Sequence, residues 1–263
     1  MREFDDPQRT WPTGHSAARL YKKTKKLVAT IEALLDIRRD ELHLLDVGCG
    51  SGAFISAAKD LGINTEGVEP STGAVNAARN YGLNVHHGFL EDIHLSRETF
   101  DVATLFEVIE HLKDPISLLL ECYRILRPGG LLIIRTGNTD SWTAHMIKGR
   151  WEYFNLEHHG GHIAFFNPHA IQKLAGLTGF RIIRIKTRGV SFFQKGEVSA
   201  LLYRSAKIFS EILHSPSTWV GKGHEMLIFL KKPNYSGSTL NREPNNLCSY
   251  LSLHMHCKIE SCE

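Results

Sequence analysis

The stretch Leu44-Leu45-Asp46-Val47-Gly48-Cys49-Gly50-Ser51-Gly52-Ala53 decides the fold. It closes a short apolar run, Leu42–Val47, with glycines at alternate positions, and it opens the helical pattern of Ala53–Leu61. Such an order reads as a buried strand, a tight turn and a helix. Glycine allows positive φ and lets a ligand come close to the backbone. A glycine turn between strand and helix is therefore the first place to seek a bound ligand.

Working outward, the same alternation repeats. Further strands are expected at Ile63–Glu69, Asn84–Gly88, Phe100–Phe106, Leu131–Thr136, Phe180–Thr187 and Glu225–Leu230. Between them, Ser71 caps a helix to Tyr81, and Asp114-Pro115 opens one ending at Leu126. Asn167-Pro168 repeats that signal for a helix to about Leu177, and the turn Arg127-Pro128-Gly129-Gly130 precedes the fifth strand. Strands alternating with helices imply an α/β, Rossmann-like, seven-stranded and mostly parallel sheet with helices on both faces. Ligands in open sheets of this kind bind beyond the carboxyl ends of the strands.

Around this frame, residues 16–39 read as an amphipathic helix capped by Ser16, so that 1–39 form an N-terminal helical cap on a domain spanning 40–232. Residues 138–166, rich in Trp, His, Phe and Gly, fit a lid, and 197–214 form an inserted helix with Val198, Leu201, Leu202, Ile208, Phe209, Ile212 and Leu213 on one face. Residues 233–263, Asn/Ser/Pro-rich, read as a disordered tail; Cys248, His254, His256, Cys257 and Cys262 within it match no zinc spacing.

The totals bound the function. A chain of 263 residues with 42% apolar residues builds one ordinary core. A net charge of +3 does not call for nucleic acid, and Lys22–Lys26 reads as a solvated helix face. No run approaches the roughly 20 apolar residues of a membrane span. Met1–Pro12 is polar and acidic, unlike a signal peptide, and five cysteines, with Cys49 and Cys122 in expected core elements, fit a reducing cytoplasmic setting.

Gly48, Gly50 and Ala53 formally satisfy the dinucleotide fingerprint, with Glu69 placed to hold ribose hydroxyls. The loop alone leaves a nicotinamide cofactor and S-adenosylmethionine both open. Asp46 tips the balance: a carboxylate at the strand tip binds a cationic amino group and repels a pyrophosphate. The runs Leu44–Gly52, Gly67-Val68-Glu69-Pro70-Ser71, Phe100–His111 and Leu126-Arg127-Pro128-Gly129-Gly130 resemble class I S-adenosylmethionine-dependent methyltransferases. Within them, the sequence is most similar to the branch containing the ubiquinone-biosynthesis O-methyltransferases, over about residues 40–187.

The resemblance implies that Asp46, Gly48 and Gly50 line the methionine part of S-adenosyl-L-methionine and that Glu69 holds the ribose, with Cys49 and Pro70 also among the cofactor-binding residues. Leu90 and Glu91 would border the adenine and Phe106 the methionine end, with Glu107 also among the cofactor-binding residues. Many relatives have an aspartate where this chain has Phe89, so the adenine contact departs from the pattern. Glu107, Glu110 and His111 converge on one helical turn. The resemblance associates that spacing with a divalent cation, magnesium being the hard ion suited to oxygen ligands. His158, His159 and His162 fall in the lid, and His162, with His111 beside it in role, is the expected general base.

The expected activity is methyl transfer to a small-molecule acceptor, at a hydroxyl oxygen. N- or C-methylation and a non-catalytic cofactor-binding scaffold are the alternatives. The chain is expected to act as a monomer or homodimer, with the inserted helix available for peripheral membrane contact.

Overall fold

A computed structural model describes residues 11–154, 161–193 and 199–234. The elements, in chain order, are α1 (Gly14–Leu35), β1 (His43–Val47), α2 (Ala53–Lys59), β2 (Asn64–Glu69), α3 (Thr72–Asn80), β3 (Val85–His87), β4 (Phe100–Phe106), α4 (Pro115–Ile125), β5 (Leu126–Gly137), α5 (Trp142–Ile147), α6 (Pro168–Thr178), β6 (Arg181–Arg188), α7 (Ala200–Trp219) and β7 (Glu225–Lys231). A short 3-10 turn, Ile109–His111, follows β4. The seven strands form one sheet in the order β3-β2-β1-β4-β5-β7-β6. Neighbours from β3 to β5 are parallel, and β7 runs antiparallel to both β5 and β6.

The sheet is buried on both faces because alternate residues of its strands serve two separate cores. Leu132 and Ile134 of β5 and Met226, Ile228 and Leu230 of β7 pack with Leu118, Leu119 and Cys122 of α4 and Ile171 and Ala175 of α6. Leu131 and Ile133, with Phe229, pack with Val28 and Ile31 of α1 and Ile55 and Ala58 of α2. Burying each such Leu or Ile side chain contributes on the order of 1.5–3 kcal/mol.

Three caps read from the sequence are present. The Asp114 carboxylate accepts from the Ile116 and Ser117 N–H groups at 3.1 and 3.2 Å. Ser71 and Asn167 accept from the N–H groups of Ala74 and Ala170. Helix α1 departs from the expectation at both ends. Its N-cap is Thr13, and the Ser16 hydroxyl instead donates back to the Thr13 carbonyl. It stops at Asp36, whose left-handed φ of 57° turns the chain and leaves Arg39 to pair with Glu32.

Strand β5 is longer than Leu131–Thr136. The expected turn at Arg127–Gly130 lies within it, after a register break between Phe100 and Val102 of β4. Gly129 and Gly130 there exchange backbone bonds with Lys232, and a Cβ on Gly130 would meet the Asp101 carbonyl at 3.0 Å. The inserted helix, expected at 197–214, spans Ala200–Trp219 and runs through Pro216. Val198 lies outside the described residues, as do His158, His159 and the tail cysteines and histidines. Strand β1 lies between β2 and β4, so the chain leaves it in one direction and returns on its other side. The loops after β1 and β4 diverge at this switch point and open the crevice that holds the site.

Candidate functional site

The β1–α2 turn is held by its own backbone and by Glu69. Gly48, Gly50 and Gly52 have φ values of 74°, 55° and 86°. A side chain at Gly48 would also meet Val108 Cγ2 at 2.6 Å. The Gly50 N–H donates to Glu69 Oε2 at 2.8 Å and the Ser71 N–H to Oε1 at 2.9 Å. Two backbone donors thus fix the Glu69 carboxylate at the carboxyl end of β2, beside the glycine turn.

Asp46 is 4% exposed, and the Thr104 hydroxyl donates to its Oδ1 at 2.5 Å. Burial pushes its carboxyl up to about 7, against the lowering effect of Thr104. A buried carboxylate that is costly to ionise alone suits a ligand bringing a positive charge. Phe106 packs edge-on against Phe54 with ring centroids 4.9 Å apart, and the Arg135 guanidinium sits 4.5 Å over its ring. The remaining expected cofactor residues differ in what they present. Leu90 is core, and the Cys49 thiol packs under the sheet where Gly67 leaves room, so the backbone is what Cys49 offers the crevice. Glu91 and Phe89 are exposed, and the Pro70 carbonyl accepts from His87.

Beyond β4 the chain makes a sharp turn in which Glu107 has a φ of 56°. This directs its carboxylate to Arg135, whose Nε donates at 3.2 Å. Burial, followed by the charge of Glu110, pushes Glu107 up to about 8. Glu110 is fully buried and ties the lid to the sheet. Its Oε1 accepts from the Tyr153 hydroxyl at 2.7 Å and its Oε2 from Thr136 Oγ1 at 3.2 Å. Its backbone carbonyl accepts from the N–H groups of Ile163 and Ala164. Burial and then the Glu110 charge hold the Tyr153 phenol above its ordinary value, so it stays a hydrogen-bond donor.

The lid returns His162 to this turn. Its Nδ1 lies 2.7 Å from the Tyr153 carbonyl, which only accepts, so Nδ1 carries a proton. The His162 ring is 4.8 Å from that of His111 and 4.2 Å from that of Tyr153. Gly137 makes room for this arrangement, since a Cβ there would meet the Tyr153 ring at 2.7 Å. Trp151, Phe154 and Phe165 complete an aromatic wall around Tyr153.

Of the residues expected to converge, Glu110 and His111 do so with His162: the three place ligand atoms within 4.8 Å of one another. Glu107 interacts with Glu110 and with Arg135 but lies outside that group of three. Tyr153, Thr136, Arg135 and Thr104 are the site residues that the sequence does not single out. Each acts through a partner remote in the chain, Tyr153 and Glu110 being 43 residues apart.

Comparison with known proteins agrees with this fold. Residues 18–185 match the model of a methyltransferase domain family. A ubiquinone biosynthesis O-methyltransferase of Coxiella burnetii is 31% identical over 154 residues, 54% of this chain and 65% of that protein. The alignment thus spans less than two thirds of the relative's length. Among solved structures, an S-adenosylmethionine-dependent methyltransferase from Archaeoglobus fulgidus superposes with a TM-score of 0.55 at 19% identity, covering 80% of this chain and 94% of that one. One from Mesorhizobium loti gives 0.54 at 16% identity, covering 77% and 96%. The glycine turn, the fixed Glu69, the buried Asp46 and the matching family model together place the chain in the methyltransferase-domain family, whose cofactor is S-adenosyl-L-methionine.

Proposed function

We propose that this protein transfers the methyl group of S-adenosyl-L-methionine to a hydroxyl oxygen of a small-molecule acceptor, with His162 receiving the proton. The position of His162 carries this reading: the Tyr153 carbonyl holds its Nδ1 at 2.7 Å, which orients the imidazole in the lid beside Glu110 and His111.

The residues present fit the cofactor. Asp46 suits an α-ammonium group, the Glu69 carboxylate can accept from sugar hydroxyls, and Gly48, Gly50 and Gly52 bring no side chain between a ligand and the backbone of the turn. When bound, the cofactor supplies a methyl group on a positively charged sulfur, a leaving group that needs no further activation. The chain's task is to align the acceptor and take up its proton. Transfer would form the oxygen–carbon bond as the carbon–sulfur bond breaks with its electron pair left on sulfur, and His162 would take up the acceptor's hydroxyl proton. His111 lines the same wall and is the second candidate for that proton.

A cation at Glu107, Glu110 and His111 is not needed for this chemistry. Both Glu110 oxygens already accept hydrogen bonds, and a set of one carboxylate and two imidazoles suits a borderline transition ion better than magnesium. Buried free thiols at Cys49 and Cys122 support a reducing, cytoplasmic setting, and among the described residues no helix is long and apolar enough to cross a membrane. Ile208 and Ile212 on α7 are 62% and 64% exposed, which supports a contact there with a membrane surface or a second copy of the chain.

The test is methyl transfer from labelled cofactor to a panel of phenols, alcohols and amines, with and without a chelator. His162→Ala is expected to lower kcat by roughly 10²–10⁴-fold while leaving S-adenosylhomocysteine affinity unchanged. Equal turnover by the variant would remove the base assignment. Exclusive methylation of amines would move the chemistry from oxygen to nitrogen.

A further inference from the structure

The sheet face beneath α1 changes character within one strand step. Leu131 and Ile133 of β5 lie on that face against Val28 and Ile31, and the next β5 residue on it is Arg135. The register sets Gly137 opposite Glu225 and Glu225 opposite Arg188, so Arg135, Glu225 and Arg188 share this face at the carboxyl end of β5. One helical turn before Leu27 and Val28, α1 brings Lys23 and Thr24 over the same end.

The charges here do not balance. Arg135 is paired with Glu107 at 3.2 Å and Arg188 with Glu225 at 2.6 Å. Lys23 and Arg19, one turn apart on α1, add two cations that no carboxylate pairs among the described residues. Burial and then Arg188 and Arg19 hold the Lys23 ammonium below its ordinary value, Arg135 adds to the effect, and Glu225 opposes it. Like charges crowded at one edge repel unless an anion joins them. Beside Lys23, the Thr24 hydroxyl is buried and has no hydrogen-bond partner. Arg188 uses two of its five donors on Glu225, leaving the others for a second acceptor.

We propose that Arg19, Lys23 and Arg188 form an anion subsite at the mouth of the crevice, which takes a carboxylate or phosphate group carried by the methyl acceptor. This assignment of the anion to the acceptor rests on the methyltransferase reading. The subsite makes the acceptor a small molecule with an anionic end held under α1 and a nucleophilic end presented to the lid.

The same chemistry could serve the carboxylate of the cofactor's own amino-acid tail, and the test separates the two. Benzoate and inorganic phosphate are titrated calorimetrically into protein saturated with S-adenosylhomocysteine, and into protein saturated with 5′-methylthioadenosine, which lacks that carboxylate. Saturable anion binding to both forms is expected, weakened about tenfold or more in the Arg19→Gln/Lys23→Gln double variant and kept in Lys23→Arg. S-adenosylhomocysteine affinity should not change in either variant. Binding to the methylthioadenosine form alone would assign the cations to the cofactor and overturn the proposal, as would no binding or binding indifferent to the double variant. Failure of S-adenosylhomocysteine to bind would count against the methyltransferase reading itself, and the same anion titrations on unloaded protein would then decide the subsite.

Discussion

Replacing Gly48 with alanine tests the glycine turn at its most constrained point. Two costs add. The residue has a φ of 74°, in the left-handed region, where a residue with a Cβ loses about 1–2 kcal/mol relative to glycine. Its new Cβ would also sit 2.6 Å from Val108 Cγ2, a contact that must be relieved by shifting the turn or the Glu107–Val108 backbone. Overpacking of this kind costs about 1–3 kcal/mol. The expected loss in unfolding free energy is therefore about 2–5 kcal/mol, measured by denaturant titration with an unchanged m-value. The double variant Gly48→Ala/Val108→Ala separates the terms. It removes the clash and leaves the backbone cost, so the penalty attributable to Gly48→Ala should fall to about 1–2 kcal/mol when referenced to Val108→Ala alone. Gly48→Ala should bind S-adenosylhomocysteine more weakly than the parent, because a displaced turn no longer meets Asp46 and Glu69 in register, and the double variant should recover part of that affinity. A penalty for Gly48→Ala below about 0.5 kcal/mol, within the range of an ordinary surface change, would refute the described turn geometry.

Asp46 has its pKa raised on folding, so it binds a proton in the native state that the unfolded chain has lost, and stability falls as pH rises from about 4 to about 7. Asp46→Asn should flatten that slope in thermal unfolding across the window while abolishing cofactor binding; an unchanged slope would mean that the carboxylate is not desolvated. Burial pushes Glu66 up, but hydrogen bonds from His86 at 2.6 Å and His43 at 2.7 Å outweigh it and hold the carboxyl below its ordinary value. Its contribution is therefore present above the unfolded pKa of about 4.3 and lost as pH falls through the lower folded value, and Glu66→Gln should remove that part of the acid dependence. Tyr153→Phe leaves Glu110 Oε1 buried without its donor and should cost about 1–3 kcal/mol and slow turnover together. If turnover falls but stability does not, the hydroxyl touches substrate and does not latch the lid.

What could be read from the chain alone was set by local chemistry. Asp114-Pro115 and Asn167-Pro168 announce their helices because a cap satisfies N–H groups only two or three residues away. The glycine turn was legible for the same reason, its φ values demanding the residue type. Ser16 misled because a hydroxyl in a first helical turn has two local uses, capping forward or donating back, and it takes the second. The length of β5 depends on Lys232 pairing with Gly129 and Gly130, a contact across about a hundred residues that no local pattern announces. The site divides along the same line. Asp46 and Glu69 stand at strand ends where position reveals them, whereas the Glu110–Tyr153–His162 arrangement exists only once the lid has folded back. Glu107 meets Glu110, as the spacing leads one to expect, but its left-handed backbone also brings it to Arg135, a partner that helical spacing does not announce.

The most direct measurement of the central claim is calorimetric titration of the purified protein with S-adenosyl-L-methionine and S-adenosylhomocysteine. Saturable, one-to-one binding of both is expected, lost in Asp46→Asn and in Gly48→Val. Absence of binding by the parent protein at millimolar ligand, or binding that survives both substitutions, would contradict it.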